Sequence, residues 1–158
     1  MRRNLGKGLA AGLIAGLGAT YLMTRFQEKM MKLMCEEQSD ESATTKAAEK
    51  ISHGLLHREL TDSQKQKAGN AVHYIFGTAV GGAYGAATEF APRIRTGLGL
   101  PFGSGLFLGA DEIAVPAAGL SKPPQKVPVK VHAYGLASHL FYGLALESLR
   151  RGLRAAIA

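Results

Sequence analysis

The sequence predicts an all-α protein in which four helices cross a membrane. Its longest uncharged run, 68–88, has 21 residues, and a helix of about 20 residues spans the hydrocarbon core of a bilayer. The chain also contains 20 glycines and no tryptophan. Glycine adds nothing to the core of a water-soluble fold, whereas in membranes it lets helices approach closely. Because the chain has 158 residues, we expect one integral domain, 1–158.

The third observation is the placement of the positive charges. The net charge is +7, but the basic residues flank apolar runs instead of alternating with aromatics along one face, so nucleic-acid binding is not indicated. Arginines concentrate at the N-terminus, between the second and third predicted spans and at the C-terminus. These positions share one side of a four-span protein, and basic segments stay in the cytoplasm. We therefore expect both termini to be cytoplasmic. The arginines concerned are Arg2, Arg3, Arg93, Arg95, Arg150, Arg151 and Arg154.

The first helix is predicted over 5–37, with its membrane span at about 8–30. A basic N-terminus before an uncharged run is typical of a signal peptide, but no A-x-A-like site follows the run. Apolar residues instead continue at helical spacing, so we interpret this segment as a retained membrane helix. Small residues recur every four positions along it and predict close helix packing. They are Gly8, Gly12 and Gly16.

Between the first two spans we expect a polar extramembrane connection, 38–61, that is partly helical. An amphipathic pattern predicts a short helix over 44–57. His53 and His57 have a spacing compatible with metal binding, but no third ligand stands nearby, so an exposed helix face is the favoured interpretation. Cys35 is the only cysteine, which excludes a disulfide within the chain.

The second span is predicted at about 66–90. Thr61 followed by Gln64 forms a capping box at the start of its helix, and Pro92 ends it. One face carries a polar residue at each end, His73 and Glu89, with glycines between them. These glycines are Gly77, Gly81 and Gly85.

The third and fourth spans are predicted at about 97–118 and 131–150, joined by a linker rich in proline and lysine. Asp111 and Glu112 interrupt the third span, which is the weakest of the four. The fourth span carries another stripe at four-residue spacing, which predicts helix packing with polar residues included. Its members are Gly135, His139, Gly143, Glu147 and Arg151.

This topology predicts a buried polar layer in the outer half of the bilayer. With a helical rise of 1.5 Å per residue, His73 would lie about 8 Å and His139 about 12 Å below the outer surface. Asp111 and Glu112 fall at nearly the same level, and His132 lies at the boundary above them. A second group is predicted near the inner boundary, where glutamates meet arginines in structural ion pairs. It comprises Glu89, Arg93, Arg95, Glu147 and Arg151.

Several of these patterns resemble the YagU-like family of bacterial inner-membrane proteins, whose members have a domain of unknown function. The resemblance lies in the run GLAAGLIAGLGA, in V-H-x-I-F followed by Y-G, and in Glu89, Pro92 and Ile94. It continues through P-x-x-G-L-x-x-P-P from Pro116 and through His139-Leu140, Glu147 and Arg150-Arg151. It implies a protein of the bacterial inner, or cytoplasmic, membrane. It implies no activity, cofactor or catalytic residue.

Three functions remain open at this point. The leading hypothesis is a non-enzymatic structural or accessory subunit that packs through glycine-rich faces, either as a homo-oligomer or within a larger membrane complex. The first alternative is a proton- or ion-coupled transporter or channel that uses the buried histidines and carboxylates. The second is a haem- or metal-binding protein with His73 and His139 as ligands. We expect no enzymatic activity. The glycine-rich 97–105 segment lacks the Lys-Ser/Thr of a phosphate-binding loop, and its Ser104 does not lie in the G-x-S-x-G pattern of a nucleophile elbow.

Overall fold

The computed structural model describes residues 3–34 and 42–157, and within these ranges the chain folds into five helices. Helix α1 covers Leu5–Met34, and α2 covers Ala43–Ile51 before a π-helical turn, Ser52–Leu56. Helix α3 covers Asp62–Phe90, α4 covers 100–117 and α5 covers Val129–Ala156. The prediction of an all-α fold is confirmed. Cys35 and Arg2 lie outside the described residues.

The ends of the helices follow from local chemistry. Ser42 caps α2, because its hydroxyl oxygen accepts the backbone N–H of Thr45 at 3.2 Å. Helix α3 begins after Thr61, whose backbone N–H donates to the Gln64 side chain at 3.0 Å. It ends before Pro92, which has no N–H to continue the helical ladder.

Helix α4 departs from regular α-helical geometry. It consists of Leu100–Leu106 and Val115–Ala117, with a π-helical stretch over Phe107–Ala114 between them. A π-helix has wider turns than an α-helix, so neighbouring side chains diverge less around the axis. This stretch contains Asp111 and Glu112, both of which reach α5.

The four long helices alternate in direction. Helix α1 packs against α3 and α5, α4 packs against α5, and the short α2 covers the N-terminal part of α3. The glycines of α1 and α3 meet in antiparallel order, Gly8 with Gly85, Gly12 with Gly81 and Gly16 with Gly77. Backbone touches backbone at each pair.

This contact corrects one part of the sequence interpretation. The stripe of Gly8, Gly12 and Gly16 suggested a surface for a separate partner, but α3 of the same chain occupies it. Sequence alone cannot tell an intrachain from an interchain helix contact, because the two use the same spacing of small residues. On α5, Gly143 lies against the backbone of Gly99 and Gly103, and Gly135 lies against the ring of Phe107.

Charged and polar side chains share the core of the bundle with apolar ones. The largest fully buried side chains are Arg150, Tyr84, Tyr142, Leu146, Glu147, Thr20 and Ser138. Many large aliphatic side chains face outwards on the long helices. Examples are Ile14 at 60%, Ile75 at 69% and Ile113 at 65% exposure.

Within residues 3–34 and 42–157, two helical segments, and not the four predicted, are long and apolar enough by composition to cross a membrane. They are Leu5–Leu33 and Pro92–Ala117. Helices α3 and α5 fall short because they carry many Gly, His, Tyr and charged residues. Many of those residues lie on the buried faces of the two helices, where they contact other helices.

Candidate functional site

The end of the bundle near both chain termini contains a cluster of ion pairs, here called the basal cluster. Its centre is Glu147, whose side chain is 0% exposed. Glu147 accepts hydrogen bonds from the Tyr84 hydroxyl at 3.0 Å, from Arg150 Nε at 2.7 Å and Nη2 at 2.9 Å, and from Arg151 Nε at 2.5 Å. The members of the basal cluster are Tyr84, Glu89, Glu147, Arg150, Arg151 and Arg154.

Glu89 forms the second centre of the basal cluster. Arg154 donates to it from Nε at 2.7 Å and from Nη2 at 3.2 Å, and the backbone N–H of Asn4 donates at 2.9 Å. These hydrogen bonds raise the pKa of Arg154 above its ordinary value, so the guanidinium stays charged. Glu89 therefore ties the start of α1 to the ends of α3 and α5.

The partner of Glu89 differs from the one expected from sequence. Arg93 and Arg95 are nearer along the chain, but neither forms an ion pair with a carboxylate in the described part of the chain. Pro92 turns the chain away from α3 at this point, whereas α5 brings Arg154 alongside Glu89. Arg95 contributes only its backbone carbonyl, which accepts from Arg151 Nη2 at 3.2 Å.

Arg150 is expected beside Glu147 from the sequence, whereas Tyr84 and Arg154 are not expected in this cluster. A pattern that indicates Arg154 is nevertheless present on α5. Glu147, Arg150 and Arg154 are spaced at three and four residues, so they share one face of a helix. Tyr84 has no comparable pattern, because its contact with Glu147 joins residues 63 positions apart.

Two histidine–carboxylate pairs join α4 to α5 farther along the bundle. His132 Nδ1 lies 2.6 Å from Glu112 Oε1, and its Nε2 lies 3.1 Å from the Pro124 carbonyl oxygen. His139 Nδ1 lies 3.6 Å from Asp111 Oδ2, beyond ordinary hydrogen-bonding distance. The same Nδ1 lies 2.9 Å from the carbonyl oxygen of Gly135. We call the set His73, Asp111, Glu112, His132 and His139 the histidine layer.

His73 on α3 differs from the other histidines of this layer. Its Nε2 is buried, and no hydrogen-bond partner for it is present in the described residues. The ring lies edge-on to Tyr74, 6.0 Å between centroids, and interacts electrostatically with His139. Below it, the Tyr142 hydroxyl donates to the Gly77 carbonyl at 2.6 Å and links α5 to α3.

The side chains of the histidine layer do not form a metal-binding group in the described residues. Across residues 3–34 and 42–157, no group of three or more His, Cys, Asp or Glu residues has a geometry that could hold a metal ion. Because the Gly135 carbonyl lies against Nδ1 of His139, Nε2 would be the ring nitrogen offered to any ligand.

Comparison with known families gives one match. A family model described as a protein of unknown function (DUF1440) matches residues 52–148, more than half of the chain. The matched segment contains α3, α4, the histidine layer, Glu89 and Glu147. No curated protein and no solved structure matches the chain.

Proposed function

The chain belongs to the DUF1440 family, whose function is unknown, and from this premise we propose that it is a small structural or accessory protein of a bacterial inner membrane. We further propose that four helices cross the bilayer, as the sequence pattern predicts, and the YagU-like resemblance agrees with an inner-membrane location. The single observation that supports this is the exposed aliphatic surface around a core that contains buried charge. Large aliphatic side chains are exposed on the long helices, while Glu147 and Arg150 are fully buried beside Tyr84, Tyr142 and Leu146, and such a surface is favourable in lipid.

The lengths of the helices agree with this proposal. Helices α1, α3 and α5 have 30, 29 and 28 residues, each more than the roughly 20 needed to span. In this arrangement the basal cluster lies at the cytoplasmic boundary. Its glutamates are saturated by hydrogen bonds, and its contacts join α1, α3 and α5, which is the behaviour of a structural element.

Membrane insertion and topology are tested together by labelling. We expect the protein to resist extraction by alkaline carbonate. A membrane-impermeant maleimide should modify the native Cys35 in intact spheroplasts. In the Cys35→Ser/Gly152→Cys variant it should react only after lysis, because position 152 is exposed at the opposite end of the bundle. Release by carbonate, or labelling of both positions in intact spheroplasts, would contradict the proposal.

We also propose that the protein associates with a second copy or a larger complex. The glycines of α1 are already used, but Gly105 and Gly109 on α4 meet nothing within 4 Å. These two glycines of α4 are therefore open to contact with another helix. Light scattering of the detergent-solubilised protein checks this part, and a monomer at all concentrations would exclude a stable homo-oligomer.

A second candidate function, proton- or ion-coupled transport, is favoured by His73. The Nε2 of His73 is buried without a hydrogen-bond partner in the described residues, and His73 interacts electrostatically with His139, which lies 3.6 Å from Asp111. Such an imidazole is suited to bind or pass a proton. We expect His73→Ala and Asp111→Asn to abolish a pH-dependent flux in proteoliposomes while the fold persists. His53→Ala, which changes a histidine of the α2 segment, serves as the control. Wild-type liposomes without flux of protons or common ions would count against this candidate.

A further inference from the structure

An open pocket lies beside the basal cluster, where α3 turns into α4. Its volume is about 350 Å³. The connection Pro92–Gly99 forms most of its wall, and one arginine of α5 completes it. The lining residues are Pro92, Arg95, Thr96, Gly97, Leu98 and Arg151.

Positive charge at this pocket exceeds the negative charge that could neutralise it. The two nearby carboxylates, Glu147 and Glu89, already accept hydrogen bonds from three arginines: Arg150, Arg151 and Arg154. They are therefore not available to neutralise a further arginine. The Arg95 side chain donates only from Nε to the Pro92 carbonyl, at 3.4 Å, and pairs with no carboxylate in the described ranges. The side chain of Arg151 is half exposed. The pocket therefore presents guanidinium groups that retain donors for an anion.

The backbone of the wall holds an apolar side chain beside these arginines. Gly97, Leu98 and Gly99 have positive φ angles of 65°, 55° and 82°. Leucine rarely adopts this conformation, since its Cβ then crowds the backbone. The turn leaves Leu98 exposed next to the arginines, with Ile94 also exposed on the same connection.

An apolar side chain next to two arginines, of which Arg95 has no carboxylate partner in the described ranges and Arg151 shares Glu147 with Arg150, matches the chemistry of a lipid headgroup region. The arginines suit a phosphate, and the exposed Leu98 suits the start of the acyl chains. Resting on the proposed membrane location, we propose that this pocket binds the phosphate group of an anionic phospholipid, with Arg95 and Arg151 as its donors.

The test uses the full-length protein in a neutral detergent and native mass spectrometry with three probes: phosphatidylglycerol, phosphatidylcholine and inorganic phosphate. Arg95→Gln is compared with Arg93→Gln, which removes the same charge from an exposed position outside the pocket lining. We expect Arg95→Gln to weaken phosphatidylglycerol binding about 5-fold, the factor that corresponds to one basic residue near a lipid surface. Arg93→Gln should change it less than about 2-fold, because a charge outside the pocket acts only at longer range.

The outcomes distinguish binding of the lipid at this pocket from non-specific attraction by net charge and from binding of free phosphate. Equal losses in both variants would mean that net charge alone attracts the lipid, and would overturn the proposal. Equally tight binding of phosphatidylcholine would overturn it too. Binding of inorganic phosphate as tight as that of phosphatidylglycerol, with the same loss in Arg95→Gln, would assign the pocket to free phosphate instead of lipid. If alkaline carbonate releases the protein from the membrane, the proposed function fails, and this result is distinguishable from a failure of lipid binding in the mass-spectrometry experiment.

Discussion

Replacement of Glu147 by glutamine is expected to lower the free energy of unfolding by about 3–5 kcal/mol, as for other buried ion pairs that lose one partner. The Glu147 side chain is 0% exposed and that of Arg150 is 2% exposed. Glutamine keeps the size of the side chain but removes the charge that balances Arg150. The guanidinium would then remain buried without a counter-ion, while the Tyr84 hydroxyl loses a charged acceptor.

The measurement is reversible unfolding of the detergent-solubilised protein, followed by far-ultraviolet circular dichroism during titration with a denaturing detergent. Glu28→Gln is the matched control, because Glu28 pairs with Arg25 through side chains that are about half exposed. Such surface pairs contribute little, so the control should unfold like the wild type. Addition of Arg150→Met to Glu147→Gln should recover part of the loss by removing the unpaired charge. A loss no larger in Glu147→Gln than in the control would refute the central role of this residue.

Replacement of Gly81 by alanine is expected to lower the free energy of unfolding by about 2–3 kcal/mol, as for other overpacked contacts. A Cβ at Gly81 would lie 2.5 Å from the Cα of Gly16 and 2.7 Å from the carbonyl oxygen of Gly12. Both atoms belong to the backbone of α1 and cannot rotate away. The two helices would have to separate, and contacts would weaken along the whole glycine stripe.

Gly152→Ala gives the control for this second prediction. Nothing lies within 4 Å of a Cβ built at Gly152, although it too is a helical glycine. Alanine is the better helix former by about 1 kcal/mol, so the control should be as stable as the wild type or slightly more stable. Equal destabilisation by the two substitutions would mean that glycine flexibility, and not close packing of α1 on α3, determines the effect.

Most of the helical architecture could be predicted from sequence, because its causes are local. The predicted capping residues and Pro92 set the ends of α3, and α5 covers its predicted range with a few residues more. The π-helical stretch of α4 could not be predicted in this way. Asp111 and Glu112 lie in this stretch and contact histidines of α5, and the sequence alone does not specify which helix they meet.

The residues of the polar groups could also be named, but their pairing was only partly predicted. The spacing of Glu147 and Arg151 on one helix specifies their contact, since four residues make about one turn. Glu89 had several arginines to choose from, and distance along the chain pointed to Arg93 and Arg95. Its partner is Arg154, because α5 runs antiparallel to α1 and parallel to α3 at this end.

The sequence by itself therefore determined the helices and the glycine faces, and it indicated some of the polar residues of the bundle, such as His139 and Glu147. All of these depend on patterns within one turn or one span of helix. Only the tertiary structure decided that the glycines of α1 meet those of α3 in the same chain. It also decided that Glu89 pairs with Arg154 and that the Nε2 of His73 is buried with no partner in the described residues. These features depend on which helices become neighbours, and that choice minimises the free energy of the whole bundle.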